Sequence, residues 1–208
     1  MKSIKATGLI AAMAAVLLLA GCEKESNNTV ENRPVAARIN STIAGMTSPG
    51  STPATRAAGT AWTAGDAIGI TVIHADGTKL LDNAHYLTSN GDGEFTAADG
   101  SVFYFTDNAE VVFTAYYPRI APEKLKNGII QDVVTDATNQ TPEKQPEIDF
   151  LFATATGSAA NPDVRLQFRH CMSRVVLRFL PGEGITALDD IKYTLSEMIL
   201  GGTFNTLT

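Results

Sequence analysis

Histidine is the side chain that most often carries acid–base or metal chemistry near neutral pH. The chain has three, His74, His85 and His170. None lies in a His-Glu-x-x-His or Cys-x-x-Cys arrangement, so their spacing indicates no zinc site. His170 has apolar neighbours in Phe168, Cys171, Met172 and Val175. This setting favours a hydrogen-bonded core histidine at a strand junction over a catalytic one.

Asn90, Asp92 and Glu94 carry side-chain oxygen atoms at alternate positions, and such oxygens could be the first ligands of a calcium ion. A calcium loop needs more oxygen ligands at set positions. The same stretch reads Asn-Gly-Asp-Gly between two candidate strands, which is a strong hairpin signal. We therefore expect a turn and no metal. The sequence also lacks a Gly-x-Ser-x-Gly elbow, a P-loop and a Gly-x-Gly-x-x-Gly motif, so it predicts no catalytic residue, no cofactor and no enzyme.

Three aromatic residues, Trp62, Tyr116 and Tyr117, could stack on sugar rings if they were exposed. Packing in a core is the interpretation that their apolar surroundings favour. The formal net charge of −6 argues against a nucleic-acid partner, which requires a basic patch.

The chain has two cysteines, and the first follows a signal-like segment. Lys2 and Lys5 precede an apolar run at 9–20, which is too short to span a bilayer comfortably. Leu-Ala-Gly-Cys at 19–22 resembles the bacterial lipobox, in which the cysteine is acylated and the signal is cut just before it. The alternatives are a signal peptide with an incidental cysteine, or a membrane anchor. Because more than one acyl chain gives stable attachment, the lipobox implies a protein held at the outer membrane through Cys22.

The chain then divides by composition. We expect a signal peptide at 1–21, a flexible tether at 22–34, a first strand and a loop at 35–59, and a β-sandwich domain at 60–190. Residues 191–208 would be a last strand or the start of a second domain missing from a truncated chain. The acidic start of the tether resembles that of surface-exposed lipoproteins, although an ordinary solvated linker fits as well. With Cys22 committed to lipid, Cys171 has no partner and is expected to be buried.

Short runs rich in β-branched and aromatic residues, separated by Gly and Asp turns, predict an all-β antiparallel sandwich. No stretch sustains a helical period. Residues 35–43 alternate apolar and polar, which is typical of a half-buried strand. The other predicted strands are 68–73, 85–88, 94–97, 102–105, 111–117, 129–134, 150–154, 164–168, 175–179 and 191–195. Phe150, Phe152, Phe168, Val175, Leu177 and Phe179 are the predicted core of the later strands.

Several segments resemble the fimbrillin (type V pilin, Mfa-like) family of surface lipoproteins. Besides the lipobox, they are Thr-Arg-Ala at 55–57, Trp-Thr-Ala-Gly-Asp-Ala-Ile-Gly-Ile at 62–70, Ala-Tyr-Tyr-Pro at 115–118, Asp-Phe-Leu-Phe-Ala at 149–153 and Phe-Arg-His-Cys-Met-Ser-Arg-Val at 168–175. Each is weak alone, but their order along most of the mature chain is fairly specific. Family members have two transthyretin-like sandwich domains, of which the first is recognisable here.

The resemblance implies a pilus subunit or adhesin that is cut by an Arg-specific protease and then assembled by donor-strand addition. Arg56 and Ala57 would flank the cut, because they lie in a loop of small polar residues. Arg33 precedes a proline, and Arg38 lies inside the predicted first strand. The alternative for this segment is that 35–43 belongs to the tether and Arg56 is an ordinary surface residue. The implied partners are other pilin subunits, the outer membrane and a host or bacterial surface ligand. A surface glycan-binding lipoprotein is the alternative function.

Overall fold

The computed structural model describes residues 33–45, 59–136, 138–173, 175, 177–184, 188–189 and 191–208. All of them lie in one compact unit, residues 32–208. The strands are β1 Val35–Ala36, β2 Arg38–Ile43, β3 Ala67–His74, β4 Lys79–Leu87, β5 Glu94–Ala97, β6 Tyr104–Phe105, β7 Val111–Tyr117, β8 Leu125–Lys126, β9 Ile129–Val134, β10 Leu151–Gly157, β11 Asp163–His170 and β12 Gly201–Asn205. The helical pieces are a 3-10 turn at Pro122–Lys124 and a single turn α1 at Gln145–Ile148.

Seven strands form a closed barrel in the order β10-β11-β2-β5-β4-β3-β7, and β7 pairs with β10 to complete it. The expected all-β fold is therefore confirmed, with the sheets of the sandwich joined at both sides. The antiparallel expectation needs one correction: β2 pairs parallel with β11. Period-two alternation shows which face of a strand is buried, but it carries no information about the direction of the neighbouring strand.

The barrel interior is filled by the apolar faces of these strands. Central strands read as continuous apolar runs because they are covered on both faces. In β3, for example, all residues from Ile68 to Val72 are buried. The largest fully buried side chains of the barrel include Phe113, Phe168, Ile68, Ile70, Leu151 and Leu166. A second cluster, built on Tyr116, Ile130 and Phe150, lies under the small sheet β12-β9-β8.

The predicted strands 175–179 and 191–195 are wrong for the residues that the structure describes there. Val175 is 58% exposed, and Leu177 and Phe179 are also exposed, whereas Phe150 and Phe168 are buried and Phe152 is half-buried. The physical reason lies in β11. Its two edges are already paired with β10 and β2, so no edge is left for the chain that follows. The last strand is β12, which pairs with β9 instead.

Candidate assembly site: the seat of strand β2

Strand β2 has one face in the barrel core and one in solvent, as its alternating sequence predicts. Ile39 and Ile43 are buried, while Arg38 and Thr42 are exposed. Burying a side chain of this kind stabilises a fold by about 1.5–3 kcal/mol. The inward row starts one residue before the strand at Ala37, which is also buried. We call the space that holds residues 37–43 the β2 seat.

Backbone hydrogen bonds hold β2 on both sides of the seat. It runs parallel to β11, with Ile39 opposite Val164 and Ile43 opposite Phe168. It runs antiparallel to β5, with Ile39 opposite Phe95. Further bonds extend the pairing beyond the strand, since the Ala37 amide donates to Phe103 and the Ala44 amide donates to Phe168, at 2.9 and 2.8 Å. Among the strands that the structure describes, β2 alone links β11 and β5, so without it the barrel would present two unpaired edges.

The Trp62 indole ring lies on the core side of the β2 seat. Trp62 packs edge-on against Phe95 of β5 and against Phe168 of β11, each at a ring-centroid distance of 5.1 Å. A third edge contact joins it to Tyr117 at 5.6 Å. Trp62 therefore bridges the two strands that flank β2 and supports the seat from inside the barrel.

Glycine allows the backbone of β2 to approach the hairpin between β4 and β5. Gly93 has a φ of +86°, and a Cβ built on it would lie 2.3 Å from the Ser41 carbonyl oxygen. The Ser41 amide donates to the Gly93 carbonyl at 2.8 Å. Any side chain at position 93 would therefore push β2 away from its partner, quite apart from the strain of the left-handed backbone.

The predicted processing loop begins and ends at neighbouring points on this site. Gly45 lies against Thr60, since a Cβ on the glycine would be 3.4 Å from the Thr60 methyl group. The Gly59 carbonyl accepts a hydrogen bond from His170 Nε2 at 3.2 Å. Residues 46–58, which carry Arg56 and Ala57, lie outside the described residues, as does Cys22. The structure fixes only where the loop leaves and rejoins the barrel.

His170 links that rejoining point to the body of the domain. Its Nδ1 donates to Asp149 Oδ1 at 2.9 Å, and both side chains are nearly buried. Because a carboxylate and a carbonyl are both acceptors, the ring makes both bonds only when each nitrogen carries a proton. The hydrogen bond to Asp149 raises the pKa of His170 above its ordinary value of 6.5, against the opposing effect of burial. The expected hydrogen-bonded core histidine is found, with the Asp149 side chain as its partner.

Three of the sequence motifs, at 62–70, 115–118 and 168–175, meet at this end of the barrel. The Tyr117 hydroxyl donates to Asp66 at 3.2 Å, and the Asp66 carboxylate also accepts from the Thr63 amide at 2.8 Å. Trp62 packs on Tyr117 and Phe168, so segments far apart in sequence contact one another. The sequence did not predict that these segments contact one another, because a local motif carries no information about which distant segment packs against it.

The structure also shows the surroundings of Asp92, which the sequence suggested as a possible calcium ligand. Asp92 accepts hydrogen bonds from Thr88 and from the Glu94 amide, and the β4–β5 turn contains it, which confirms the turn. No group of residues suited to a metal ion occurs in the part of the chain that the structure describes.

Trp62, Tyr116 and Tyr117 are buried, which confirms core packing. The expectation for Cys171 is wrong, since it is exposed just beyond the end of β11, where the chain leaves the barrel.

Comparison with known proteins gives one family. The sequence profile of the fimbrillin-like family matches residues 55–208. A Bacteroides uniformis protein provisionally named fimbrium subunit Fim1C is 32% identical over 213 residues, which cover 99% of this chain and 66% of that protein. A solved structure described as a provisional cell adhesion protein of Bacteroides ovatus has a TM-score of 0.59 and 26% identity, over 85% of this chain and 66% of its own.

A second solved structure with the same provisional description, from Bacteroides uniformis, is 32% identical, with a TM-score of 0.45 over 65% of this chain and 47% of its own. The chain thus spans slightly less than two thirds of the Fim1C relative, at 66%. None of the helices among the described residues has the length and apolar character needed to cross a membrane. Since the profile extends over most of the sequence, from the loop before Trp62 to the last residue, the chain belongs to the fimbrillin-like family.

Proposed function

We propose that this protein is a fimbrial subunit or adhesin of the bacterial cell surface, assembled by addition of a donor strand after cleavage at Arg56. The observation that carries the proposal is the position of β2. This strand closes the barrel between two other strands, yet it continues into the body only through the loop 46–58. A cut in that loop would leave β2 attached by non-covalent contacts alone.

The relatives support the surface role. One is provisionally named a fimbrium subunit and another a cell adhesion protein. Together with the lipobox-like sequence at 19–22, the names of these relatives support a location at the outer membrane, with the protein anchored through an acylated Cys22 before processing and in the fimbrium afterwards. The role is structural and not enzymatic. Its partners are other pilin subunits, with a host or bacterial surface ligand for an adhesin.

The proposed assembly step depends on which strands remain in each of the two fragments after cleavage. Cleavage between Arg56 and Ala57 leaves residues 57 onward with the body, where His170 holds the Gly59 carbonyl. Residues 22–56 carry β1, β2 and the lipid. When this piece leaves, the edges of β5 and β11 become available. An extended segment of another subunit then restores the backbone hydrogen bonds and buries the apolar seat.

A glycan-binding role has less support. The aromatic residues that the sequence suggested for such a site, Trp62, Tyr116 and Tyr117, are all buried and offer no platform for a sugar ring. A glycan array probed with the soluble domain should show no binding. Reproducible binding of a defined sugar would favour the alternative.

Limited digestion with trypsin tests the proposal. The protein is produced from residue 23 onward, without the signal and the lipidated cysteine, and the products are identified by N-terminal sequencing. The main product should begin at Ala57, because Arg38 is held in a paired strand and Arg33 precedes a proline. Arg56→Gln should abolish this product, and Arg38→Gln should not change it. Preferential cutting after Arg38 in the folded protein would contradict the proposal.

A further inference from the structure

We infer that the β2 seat selects its replacement by side-chain size: it takes an extended segment of another subunit, parallel to β11, whose four inward residues are small, branched apolar, small and branched apolar. This inference rests on the proposed strand exchange and specifies the partner. The present occupant shows the pattern directly. Ala37, Ile39 and Ile43 are buried, and Ser41, which alternates with them along the strand, is half-buried.

The third inward position is the most restrictive. Ser41 lies on the same face as Ile39 and Ile43, midway between them. Ile39 is opposite Phe95, and Ile43 is opposite Phe168. The Trp62 ring contacts both of these phenylalanines and approaches Gly93, whose carbonyl accepts from the Ser41 amide, so the indole lies next to position 41. A large side chain there would have to displace the indole.

The hairpin backbone restricts the same position from the side. The site for a Cβ on Gly93 lies 2.3 Å from the Ser41 carbonyl and 3.5 Å from Trp62 Cδ1. The Ser41 hydroxyl, in turn, donates to the Gly93 carbonyl at 3.3 Å. With the indole below and the glycine backbone beside it, the strand cannot shift outward to make room without losing the bond from its amide to Gly93.

The first inward position is small for a related reason. The Ala37 amide donates to the Phe103 carbonyl. Phe103 packs edge-on against Phe105 and Phe113 at 5.2 and 5.5 Å, so aromatic rings already fill this end of the barrel. By contrast, Ile39 and Ile43 are 3% and 7% exposed and complete the core. The β2 seat thus has room for small side chains at positions 37 and 41 and for larger apolar side chains at positions 39 and 43.

An ion pair on the outer face sets the register. Arg38 Nε lies 2.5 Å from Asp163 Oδ1, at the first residue of β11. A shift by one residue would exchange the inward and outward rows and remove the arginine from this carboxylate. We therefore expect the incoming segment to carry a basic residue directly after its first small residue. This exposed pair contributes to the choice of register more than to affinity.

Strand exchange with a peptide series tests the size selection. Trypsin-nicked protein, with the cut fragment still bound, is incubated with fluorescent peptides covering residues 35–44, and binding is followed by anisotropy. The native sequence and its Ser41→Ala form should bind alike. Ser41→Leu should bind at least about tenfold more weakly, because overpacking a filled site is unfavourable. A Ser41→Leu peptide that binds as well as the native one would overturn the size selection.

The outcomes also separate this inference from the proposed function. If the native peptide never enters the nicked protein, even when the cut fragment has been shown to dissociate, strand addition itself is wrong. If all peptides enter equally, strand addition stands and the size selection is wrong. A Trp62→Leu protein provides a second check, because it should bind the Ser41→Leu peptide more tightly than the unchanged protein does.

Discussion

At the scale of single residues, one histidine bonds the chain at the point where the predicted processing loop rejoins the barrel. His170 donates hydrogen bonds to Asp149 and to the Gly59 carbonyl, and it does so fully only when it is protonated. The sequence predicted a satisfied core histidine from its apolar neighbours. It did not predict the partners, because Asp149 and Gly59 lie 21 and 111 residues away along the chain.

This histidine makes stability depend on pH. Its folded pKa lies above the ordinary 6.5, so its contribution is complete below that value and is lost as the pH rises through the folded pKa. His170→Gln should therefore lower the free energy of unfolding by about 2–3 kcal/mol at about pH 5 and by less at about pH 8.5.

Urea denaturation at the two pH values measures this difference. His74→Gln, at a partly exposed histidine in β3, is the matched control and should cost little at either pH. An equal effect of His170→Gln at both pH values would show that the protonated form is not the one that stabilises the fold.

At the scale of elements, β2 shows what an alternating pattern can and cannot predict. Alternation predicted one strand at 35–43 with a buried apolar face; the structure divides this stretch into β1 and β2, and Ile39 and Ile43 of β2 are buried as expected. The parallel direction of β2 against β11 was not predictable, because it depends on which barrel edges remain open after the other strands have paired. The failure at 175–179 has the same origin, since those residues also alternate but find no free edge.

Packing of β2 can be tested by a pair of adjacent substitutions. Ile43→Ala removes a buried side chain opposite Phe168 and should cost about 2–5 kcal/mol. Thr42→Ala, on the exposed face of the same strand, should change stability by less than about 0.5 kcal/mol. Thermal and urea unfolding of the uncut protein give both values. Equal effects of the two substitutions would place β2 outside the core.

At the scale of the whole molecule, closure of the barrel depends on a segment that lies near the N-terminus of the chain. β2 begins at Arg38, and the proposed lipid is on Cys22. The anchor and the strand that completes the fold therefore belong to the same fragment once the loop is cut. Composition predicted the signal and the loop, but the structural role of the strand between them required the strand order.

Replacement of the cysteine tests the anchor. Cys22→Ala should leave the protein without acyl chains, and it should move from the membrane fraction to the soluble fraction after carbonate and high-salt washes. The reason is that several acyl chains are needed for stable attachment and this residue would carry all of them. Cys171→Ala is the control and should not change the fractionation. Membrane-bound Cys22→Ala protein that resists both washes would contradict lipidation at this residue.

The contact between Gly45 and Thr60 bears on the speed of assembly. Because the chain leaves and rejoins the barrel at adjacent points, the proposed cut would break no pairing of β2, and the nicked protein would be a two-chain complex that keeps the pairings of β2 with β5 and β11. The residence time of the short chain then depends on its own dissociation rate. When that step is slow, fibre growth is first order in nicked subunit, and its rate does not rise with the concentration of incoming strands.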